Sequence, residues 1–276
     1  MSLFESFIGR AEGKGLGAFA AANLEPGDRV LAERPLLRFE DSDAGLRRTE
    51  LACERLPPSQ REEVLSLEDS WSLDAKTFRG ILETNGIDCE LPIGESPKVL
   101  CLKLSRFNHS CNPNCDYSWN QQNGRMEVYA QTAITVGEEL CIPYIDLREP
   151  WELRQQLLRE NWRFSCRCEV CACKDSAESD RRRVRLGELS ALIYRKRRSR
   201  SQLSIAKKLL KLYQEENLYA HSYRLEACKF GYAASLDLEE ADAPRFARLG
   251  LRCAMRCHGP DHEETQEWLK ASSLWS

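Results

Sequence analysis

Two polar residues and two cysteines stand close together in the stretch Arg106-Phe-Asn-His-Ser-Cys-Asn-Pro-Asn-Cys115. The side chains of Asn108 and His109 can recognise a ligand, and the thiolates of Cys111 and Cys115 can bind a metal ion. Pro113 prevents a helix from running through the segment. The chemistry that this stretch indicates is therefore ligand recognition beside a metal centre.

A second group of cysteines, Cys166-Arg-Cys-Glu-Val-Cys171, has the spacing of a zinc-binding turn. Zinc prefers four soft ligands at the corners of a tetrahedron, and this turn supplies three of them. Cys173 follows Cys171 too closely to fold back, so the fourth ligand is expected to be Cys111 or Cys115. The alternative is a pair of unrelated cysteine-rich loops whose thiols are free.

The composition limits the class of protein. The chain has 276 residues, a net charge of -3 and 13 cysteines. A nearly neutral molecule is not expected to bind nucleic acid or a membrane surface as a whole. The odd cysteine count, the lack of a signal-like N-terminus and the lack of a long apolar run favour an intracellular, reducing setting, in the nucleus or the cytoplasm. Six isolated cysteines are predicted to be buried apolar residues: Cys53, Cys89, Cys101, Cys228, Cys253 and Cys257.

Residues 1–145 are predicted to alternate short strands with a helical insert at about 44–90, which favours an α+β fold over a doubly wound sheet. Gly13-Lys-Gly-Leu-Gly17 predicts a tight hairpin whose backbone a ligand can approach. Asn85, at the end of the insert and beside a glycine, is interpreted as a helix C-cap. Strands are predicted over residues 29–39 (interrupted at Pro35), 115–120, 125–134 and 139–145.

The rest of the chain is predicted to be helical. Pro150 indicates the start of a helix over 151–162, and the pattern changes again near residues 174–180. Short turns between the helices that follow favour stacked helical hairpins. These helices are predicted over residues 184–194, 203–213, 219–235, 243–257 and 262–274.

The basic tract Arg181–Arg185 and Arg195–Arg200 has two interpretations. It is either a patch for nuclear import or nucleic acid, or the solvated face of a helix, which is the preferred interpretation. The apolar side of that helix is then formed by Leu186, Leu189, Leu192 and Tyr194. Three histidines in this half have no partner at ligand spacing and are interpreted as structural: His221, His258 and His262.

Four motifs in chain order resemble those of the SET-domain protein-lysine methyltransferases: Gly13-Lys-Gly-Leu-Gly17, Arg106-Phe-Asn-His-Ser-Cys111, Gly137-Glu-Glu-Leu-Cys-Ile-Pro-Tyr144 and Cys166-x-Cys-x-x-Cys171. The resemblance covers about residues 1–173 and is closest to the SMYD type and its fungal-type relatives. The zinc-binding MYND finger of the SMYD type is missing, because no cysteine cluster lies between Arg38 and Pro97.

The resemblance implies small twisted sheets with a knot-like threading. It divides the chain into a SET domain at 1–146, a post-SET zinc segment at 147–176 and a C-terminal TPR-like helical domain at 177–276. It also implies an S-adenosylmethionine (SAM) cofactor and one structural zinc ion. The expected partner is a lysine-containing segment of a histone or another protein. Docking through the C-terminal helices is possible in such a fold, neither nucleic acid nor membrane is required, and a monomer is expected.

The resemblance also assigns roles to residues. The backbone around Lys14, Gly15 and Leu16 would cradle SAM, Asn85 would hold its amino-acid end, and Phe164 would stack on adenine. The same resemblance has Asn108 and His109 bind SAM through side chain and backbone, and makes Tyr144 a cofactor contact and the main catalytic residue. The implied zinc ligands are Cys111, Cys166, Cys168 and Cys171, with Cys115 and Cys173 as spectators.

Two positions depart from the family pattern. Trp162 stands where related enzymes commonly have a second tyrosine, so the lysine channel or the number of methyl groups added is expected to differ. Cys141 replaces a frequent threonine, which is interpreted as a packing change. Because of Trp162, the alternative function is a SET scaffold that keeps zinc, with weak catalysis, and acts as a peptide-binding or assembly module.

Overall fold

The glycine-rich N-terminal segment forms the predicted hairpin, with strands β1 (Ser6–Ala11) and β2 (Gly15–Ala20). The computed structural model describes residues 6–72, 74–89, 97–173, 176–196 and 199–275. Gly13 and Gly15 have φ angles of 69° and 82°, which glycine adopts without a steric penalty. A Cβ atom at either position would meet nothing within 4 Å. The turn therefore presents bare backbone to open space.

Short strands make up three small sheets. The remaining strands are β3 (Arg29–Glu33), β4 (Leu37–Phe39), β5 (Ile87–Asp88), β6 (Lys98–Leu100), β7 (Asn108–His109), β8 (Cys115–Asn120), β9 (Arg125–Ala130) and β10 (Glu139–Ile142). The strand orders are β1-β2-β10-β7, β3-β9-β8 and β4-β6-β5. All neighbours are antiparallel except β7 and β10, which run parallel. The predicted α+β class is confirmed.

Two strands are shorter than predicted. Strand β9 ends at Ala130, four residues before the predicted end, with a last bond from the backbone N–H of Gln131 to the carbonyl oxygen of Asn114 at 2.8 Å. Strand β10 ends at Ile142 because Pro143 has no N–H to continue the ladder. Tyr144 therefore lies just beyond a strand end, in an irregular segment.

The helical insert is confirmed and consists of α1 (Asp43–Glu54), α2 (Pro58–Ser66) and α3 (Phe78–Asn85). Asn85 is the last helical residue, and Gly86 after it has a φ angle of -68°. A left-handed C-cap is therefore not formed, and the C-cap interpretation of Asn85 is wrong. The helix ends because the chain becomes extended at Gly86 and enters β5.

The C-terminal part is helical. Its helices are α4 (Trp151–Trp162), α5 (Glu169–Ala172), α6 (Ser176–Ile193), α7 (Arg200–Glu215), α8 (His221–Asp237), α9 (Ala243–His258) and α10 (Glu263–Ser273). Helices α6 to α10 pack each against the next, as stacked hairpins do. Helix α6 begins well before the predicted residue 184. The prediction missed its first turns because they are polar and carry no apolar repeat. The predicted boundary at 174–180 includes Lys174 and Asp175, which lie outside the described residues.

The C-terminal helices dock on strands β8 and β9 through polar contacts. Ser118 Oγ donates to the carbonyl oxygen of Cys257 at 3.1 Å, and Ser222 Oγ donates to Asp116 Oδ2 at 2.8 Å. Gln131 Nε2 donates to the carbonyl oxygen of Arg256 at 2.9 Å. These bonds fix the helical part against the sheet whose strand β8 begins at Cys115, the last residue of the stretch 106–115, hereafter the opening stretch.

The basic tract is only partly a solvated helix face. Arg181 and Arg185 are exposed, as that interpretation requires. Arg183 is 0% exposed, and its guanidinium donates to Glu216 Oε1 at 2.8 Å and to the carbonyl oxygen of Cys111 at 3.2 Å. For Arg183 the interpretation is wrong, because the carboxylate of Glu216, just after the end of α7, pairs with the guanidinium in the interior. Arg197 and Arg198 lie outside the described residues.

Other side chains in the helical part follow the predictions more closely. The cysteines of this part that were predicted to be buried, Cys228, Cys253 and Cys257, are buried, as are Cys53, Cys89 and Cys101 earlier in the chain. His221 is buried and its Nε2 lies 2.9 Å from Arg256 Nη1, and the rings of His258 and His262 stack with centroids 4.4 Å apart. Tyr194 is 58% exposed, so its predicted place on the apolar side of the helix is wrong.

Candidate active site and metal centre

The parallel pairing of β7 with β10 assembles the centre of the site. Asn108 is registered with Cys141 and His109 with Ile142, so the opening stretch lies beside the segment that leads to Tyr144. The backbone N–H of Tyr144 donates to His109 Nδ1 at 3.1 Å, and the two ring centroids are 5.4 Å apart. The predicted meeting of these two distant motifs is confirmed.

Tyr144 is half-buried, and its hydroxyl donates to the carbonyl oxygen of Phe107 at 2.6 Å. Burial raises the pKa of this phenol, so it stays protonated at neutral pH. The ring of Trp162 lies on another side of Tyr144, with centroids 5.1 Å apart. Trp162 Nε1 donates to the carbonyl oxygen of Thr84 at 3.0 Å, which ties the end of α4 to the end of the helical insert beside Asn85.

Both ring nitrogens of His109 are already engaged within the protein. The ring is 3% exposed, and burial lowers the pKa of His109 to about 4, so the imidazole is neutral. Since Nδ1 accepts from Tyr144, the proton is on Nε2, which lies 3.3 Å from Cys111 Sγ. The ring therefore joins Tyr144 to the cysteine cluster, and only the backbone of His109 is left to contact a cofactor.

A carboxylate that the sequence analysis did not single out connects the hairpin to Asn108. Glu139 Oε2 accepts from Lys14 Nζ at 2.7 Å, and its Oε1 accepts from Asn108 Nδ2 at 2.8 Å. Asn108 Nδ2 also lies 3.1 Å from the carbonyl oxygen of Leu16. A Cβ atom at Gly17 would come within 2.9 Å of that amide nitrogen. Glycine at this position thus allows Asn108 to reach the hairpin.

Asn114 was also missed, although it belongs to the opening stretch. Its Nδ2 donates to the carbonyl oxygen of Glu139 at 2.9 Å, and its Oδ1 accepts from the backbone N–H of Cys141 at 2.8 Å. The side chain therefore imitates a neighbouring strand and holds β10 in register. Its place beside Pro113, where polar side chains often bond to backbone, is the signal that points to such a role.

Asn85 and Phe164 border the same region. Asn85 is buried, and its Nδ2 donates to the carbonyl oxygens of Glu68 and Ile81, both at 2.8 Å. With both protons used, its carboxamide oxygen remains as an acceptor, which suits an ammonium group. Phe164 is half-buried, with its ring centroid 6.3 Å from that of His109. The open hairpin backbone, an acceptor and an aromatic face fit an amino-acid nucleoside such as SAM.

Four cysteines meet beside His109. The sulfur atoms of Cys111, Cys166, Cys168 and Cys171 all lie within 4.8 Å of one another. Cys111 Sγ is 3.4 Å from that of Cys171 and 4.0 Å from that of Cys166. Tetrahedral zinc with bonds of about 2.3 Å needs sulfur separations of about 3.8 Å, so these residues fit the ion. Cys115 at the start of β8 and the exposed Cys173 are outside the group.

The cysteine turn is held by α4. Buried Gln155 donates from Nε2 to the carbonyl oxygen of Cys166 and accepts from the backbone N–H of Cys166, both at 3.0 Å. Hydrogen bonds from neighbouring thiols, that of Cys111 first, lower the pKa of Cys168. The thiolate that this shift favours at Cys168 is the form of cysteine that zinc binds. Gln155 gave no sequence signal beyond a polar residue on the apolar side of a helix.

Comparison with known proteins defines the class. Residues 15–145 match the family model of the SET domain. The chain is similar to histone-lysine N-methyltransferase set5 of Schizosaccharomyces pombe, with 33% identity over 162 residues, 59% of this chain and 49% of that protein. It is also similar to human histone-lysine N-methyltransferase SMYD3, with 29% identity over 136 residues, 49% of this chain and 31% of that protein.

A third relative is human protein-lysine N-trimethyltransferase SMYD5, which is 34% identical over 125 residues, 44% of this chain and 28% of that protein. The predicted resemblance to the SMYD and fungal type is thereby confirmed. The chain spans at most about half the length of these curated relatives. Among the described helices, none combines the length and the apolar character needed to cross a membrane.

Proposed function

We propose that this protein is a SAM-dependent protein-lysine N-methyltransferase. The observation that carries the proposal is the meeting of Tyr144, with its hydroxyl 2.6 Å from the carbonyl oxygen of Phe107, with Asn108 and the open hairpin. The hydroxyl of Tyr144 and the carbonyl of Phe107 are thus held together beside the hairpin backbone, which suits SAM. Transfer of a methyl group needs alignment and exclusion of water more than it needs a strong base.

The proposed cofactor contacts are those that the resemblance implies, refined by the geometry. The backbone of Lys14, Gly15 and Leu16 would lie along SAM, with the hairpin held in place by Glu139. Asn85 would accept from the ammonium group through its carboxamide oxygen, and Phe164 would cover the adenine. Asn108, His109 and Tyr144 complete the set, with His109 acting through its backbone. When bound, SAM supplies a methyl group activated by a sulfonium.

The proposed catalytic role of Tyr144 is alignment. Its phenol is neutral and its hydroxyl is fixed on the carbonyl oxygen of Phe107, so it orients groups without taking a proton. A lysine amine with an ordinary pKa of about 10.4 has to be neutral to react, and a partly buried channel lowers that pKa. The ring of Trp162 forms a wall beside Tyr144 and offers an indole N–H that is already bound to Thr84. The number of methyl groups added to the lysine is therefore determined without a second tyrosine hydroxyl, since Trp162 stands at that position.

We propose that Cys111, Cys166, Cys168 and Cys171 bind one structural zinc ion. Their sulfur separations support this assignment, and Cys111 joins the turn at 166–171 to the strand that carries His109. Zinc would thus keep Phe164 next to His109. Cys115 and Cys173 are proposed to be spectators.

Arg154 is expected to stabilise this zinc centre. Its side chain is 1% exposed. Burial lowers the pKa of Arg154, but the nearby thiols of Cys111 and Cys171 have the larger combined effect, and the pKa is raised. Its buried Nε has no hydrogen-bond partner among the described residues. Four thiolates around a divalent zinc leave a net negative charge, which a buried guanidinium offsets.

Arg154→Gln is therefore expected to release zinc to a colorimetric chelator about 10-fold faster than wild type, the size typical of groups behind metal ligands. Arg159→Gln, a change of the same type at an exposed position of the same helix, is the control. Equal release rates for Arg154→Gln and wild type would show that Arg154 does not compensate the charge of the centre.

The proposed activity is tested by methyl transfer from tritiated SAM. Purified protein is incubated with histones and with fractionated cell protein, and acid hydrolysis followed by mass spectrometry identifies methyl-lysine and counts its methyl groups. Methyl-lysine above the level of a no-enzyme control is expected. Tight SAM binding with no methyl-lysine in any fraction would instead favour the scaffold function.

Histones are the first substrates to try because two of the relatives named above are histone-lysine methyltransferases. A nuclear or cytoplasmic location belongs to the same proposal. We also propose the domain division at residues 146 and 176, a monomer, and no requirement for nucleic acid.

A further inference from the structure

Helix α9 concentrates positive charge on one side. It contains four arginines and no carboxylate, although the whole chain has a net charge of -3. Arg245, Arg248 and Arg252 are spaced by three and four residues, which puts them on one face of the helix. All three are exposed, and among the described residues none of them has an ion-pair partner. The face is therefore strongly cationic and free to attract an anion.

This face borders a groove of about 860 Å³ between α7 and α9, both of which pack on α8. Lys207 and Lys211 of α7 and Arg224 of α8 also line the groove. The described lining includes no aspartate or glutamate. Lys207 and Lys211 have neighbouring carboxylates, Asp242 and Glu215, outside the lining. The charged residues of the lining are therefore all positive, and three of them are the unpaired arginines of α9.

The floor of the groove is apolar. Leu210, Leu249 and Leu251 are half-buried and line it together with Phe246, which is only 2% exposed. Single-stranded nucleic acid is bound by cationic grooves that also offer exposed aromatic faces for stacking, and this floor offers aliphatic side chains instead. A cationic rim around an aliphatic floor matches a ligand with one acidic side and one apolar side.

We propose that the groove between α7 and α9 binds an acidic amphipathic helix of a partner protein. Its leucine-type residues would lie on Leu210, Leu249 and Leu251, and its carboxylates would face Arg245, Arg248 and Arg252. This is the helix-in-groove mode of recognition, with apolar anchors for affinity and complementary charge for specificity and association rate. The site is separate from the proposed methyl-transfer centre, so its test does not depend on that activity.

Fluorescence anisotropy with a defined probe tests the proposal on the full chain. The probe is a labelled peptide of about 18 residues, close to the length of α9, with leucines along one helical face and glutamates elsewhere. Saturable binding is expected, weakening as salt rises from about 50 to about 300 mM. The charge reversals Arg245→Glu, Arg248→Glu and Arg252→Glu together are expected to lower affinity at least about 10-fold.

The matched control reverses three exposed charges of the other basic tract: Arg181→Glu, Arg185→Glu and Arg195→Glu. It is expected to leave the affinity unchanged. Circular dichroism verifies that each variant is folded. If the charge reversal unfolds the helix, the milder triple replacement by glutamine at 245, 248 and 252 is used instead. It is also expected to weaken binding. A scrambled peptide of identical composition that binds equally well overturns the proposal, as does tighter binding of a single-stranded RNA, or no binding of the probe.

Discussion

Replacing Tyr144 by phenylalanine is expected to lower the rate of methyl transfer by at least about 100-fold, the scale of losing alignment of the reacting groups. The hydroxyl at this position donates to the carbonyl oxygen of Phe107 at 2.6 Å and so fixes both oxygens at one point. Without it the carbonyl of Phe107 loses its donor and no hydroxyl remains to align the reacting groups. Measuring kcat and KM with a lysine-containing peptide that the wild type methylates separates this loss from a loss of substrate binding.

Stability and SAM affinity are expected to change little in this variant. The ring of Tyr144 keeps its contacts with His109 and Trp162, and its backbone N–H keeps its bond to His109. One lost hydrogen bond contributes only about 1 kcal/mol. Tyr129→Phe is the matched control, because that hydroxyl is also bonded, to Glu127 at 2.9 Å, but lies on β9. Equal transfer by Tyr144→Phe and wild type would remove Tyr144 from the catalytic role.

The parts of the fold that were predictable from sequence are those with a local cause. Pro150 and the apolar stripe gave helix α4 its observed bounds, and the alternate glycines gave the hairpin. Strand β8 also has its predicted limits, which leaves Cys115 buried in a ladder and Cys111 free to meet the cysteine turn. Whether Cys111 or Cys115 is the fourth ligand depends on which side chain faces the cysteine turn at 166–171. The spacing of the cysteines in the sequence did not decide between them.

The parts that escaped prediction depend on partners distant in the sequence. Arg183 is one of several arginines in a tract, and its burial follows from Glu216, which comes just after the end of the next helix. Glu139 stands beside Glu138, and only the fold makes the former join Lys14 to Asn108. Gln155 resembles any polar residue of an amphipathic helix until the backbone of Cys166 is placed against it. A polar residue in one sequence does not reveal whether it faces solvent or a backbone group far along the chain.

Replacing Cys111 by serine is expected to remove zinc and to disrupt the candidate active site as well as the metal centre. A serine oxygen is a poor substitute for a thiolate ligand, and binding of a structural zinc ion contributes on the order of 10 kcal/mol to folding in small zinc domains. Cys111 also accepts the only bond available to the Nε2 proton of His109 among the described residues, at 3.3 Å. Its loss therefore disturbs the neighbour that holds the backbone of Tyr144.

Zinc content by mass spectrometry, thermal denaturation and SAM titration together test this expectation for Cys111→Ser. Zinc below stoichiometric amounts, a lower melting temperature and SAM affinity reduced by about 10-fold or more are expected, since Phe164 and the turn at 166–171 are no longer fixed beside His109. Cys173→Ser is the matched control, because that thiol is exposed and outside the four-sulfur group. Stoichiometric zinc in Cys111→Ser would contradict the assignment of Cys111 as a ligand, whereas normal zinc with lost SAM binding would restrict its role to supporting His109.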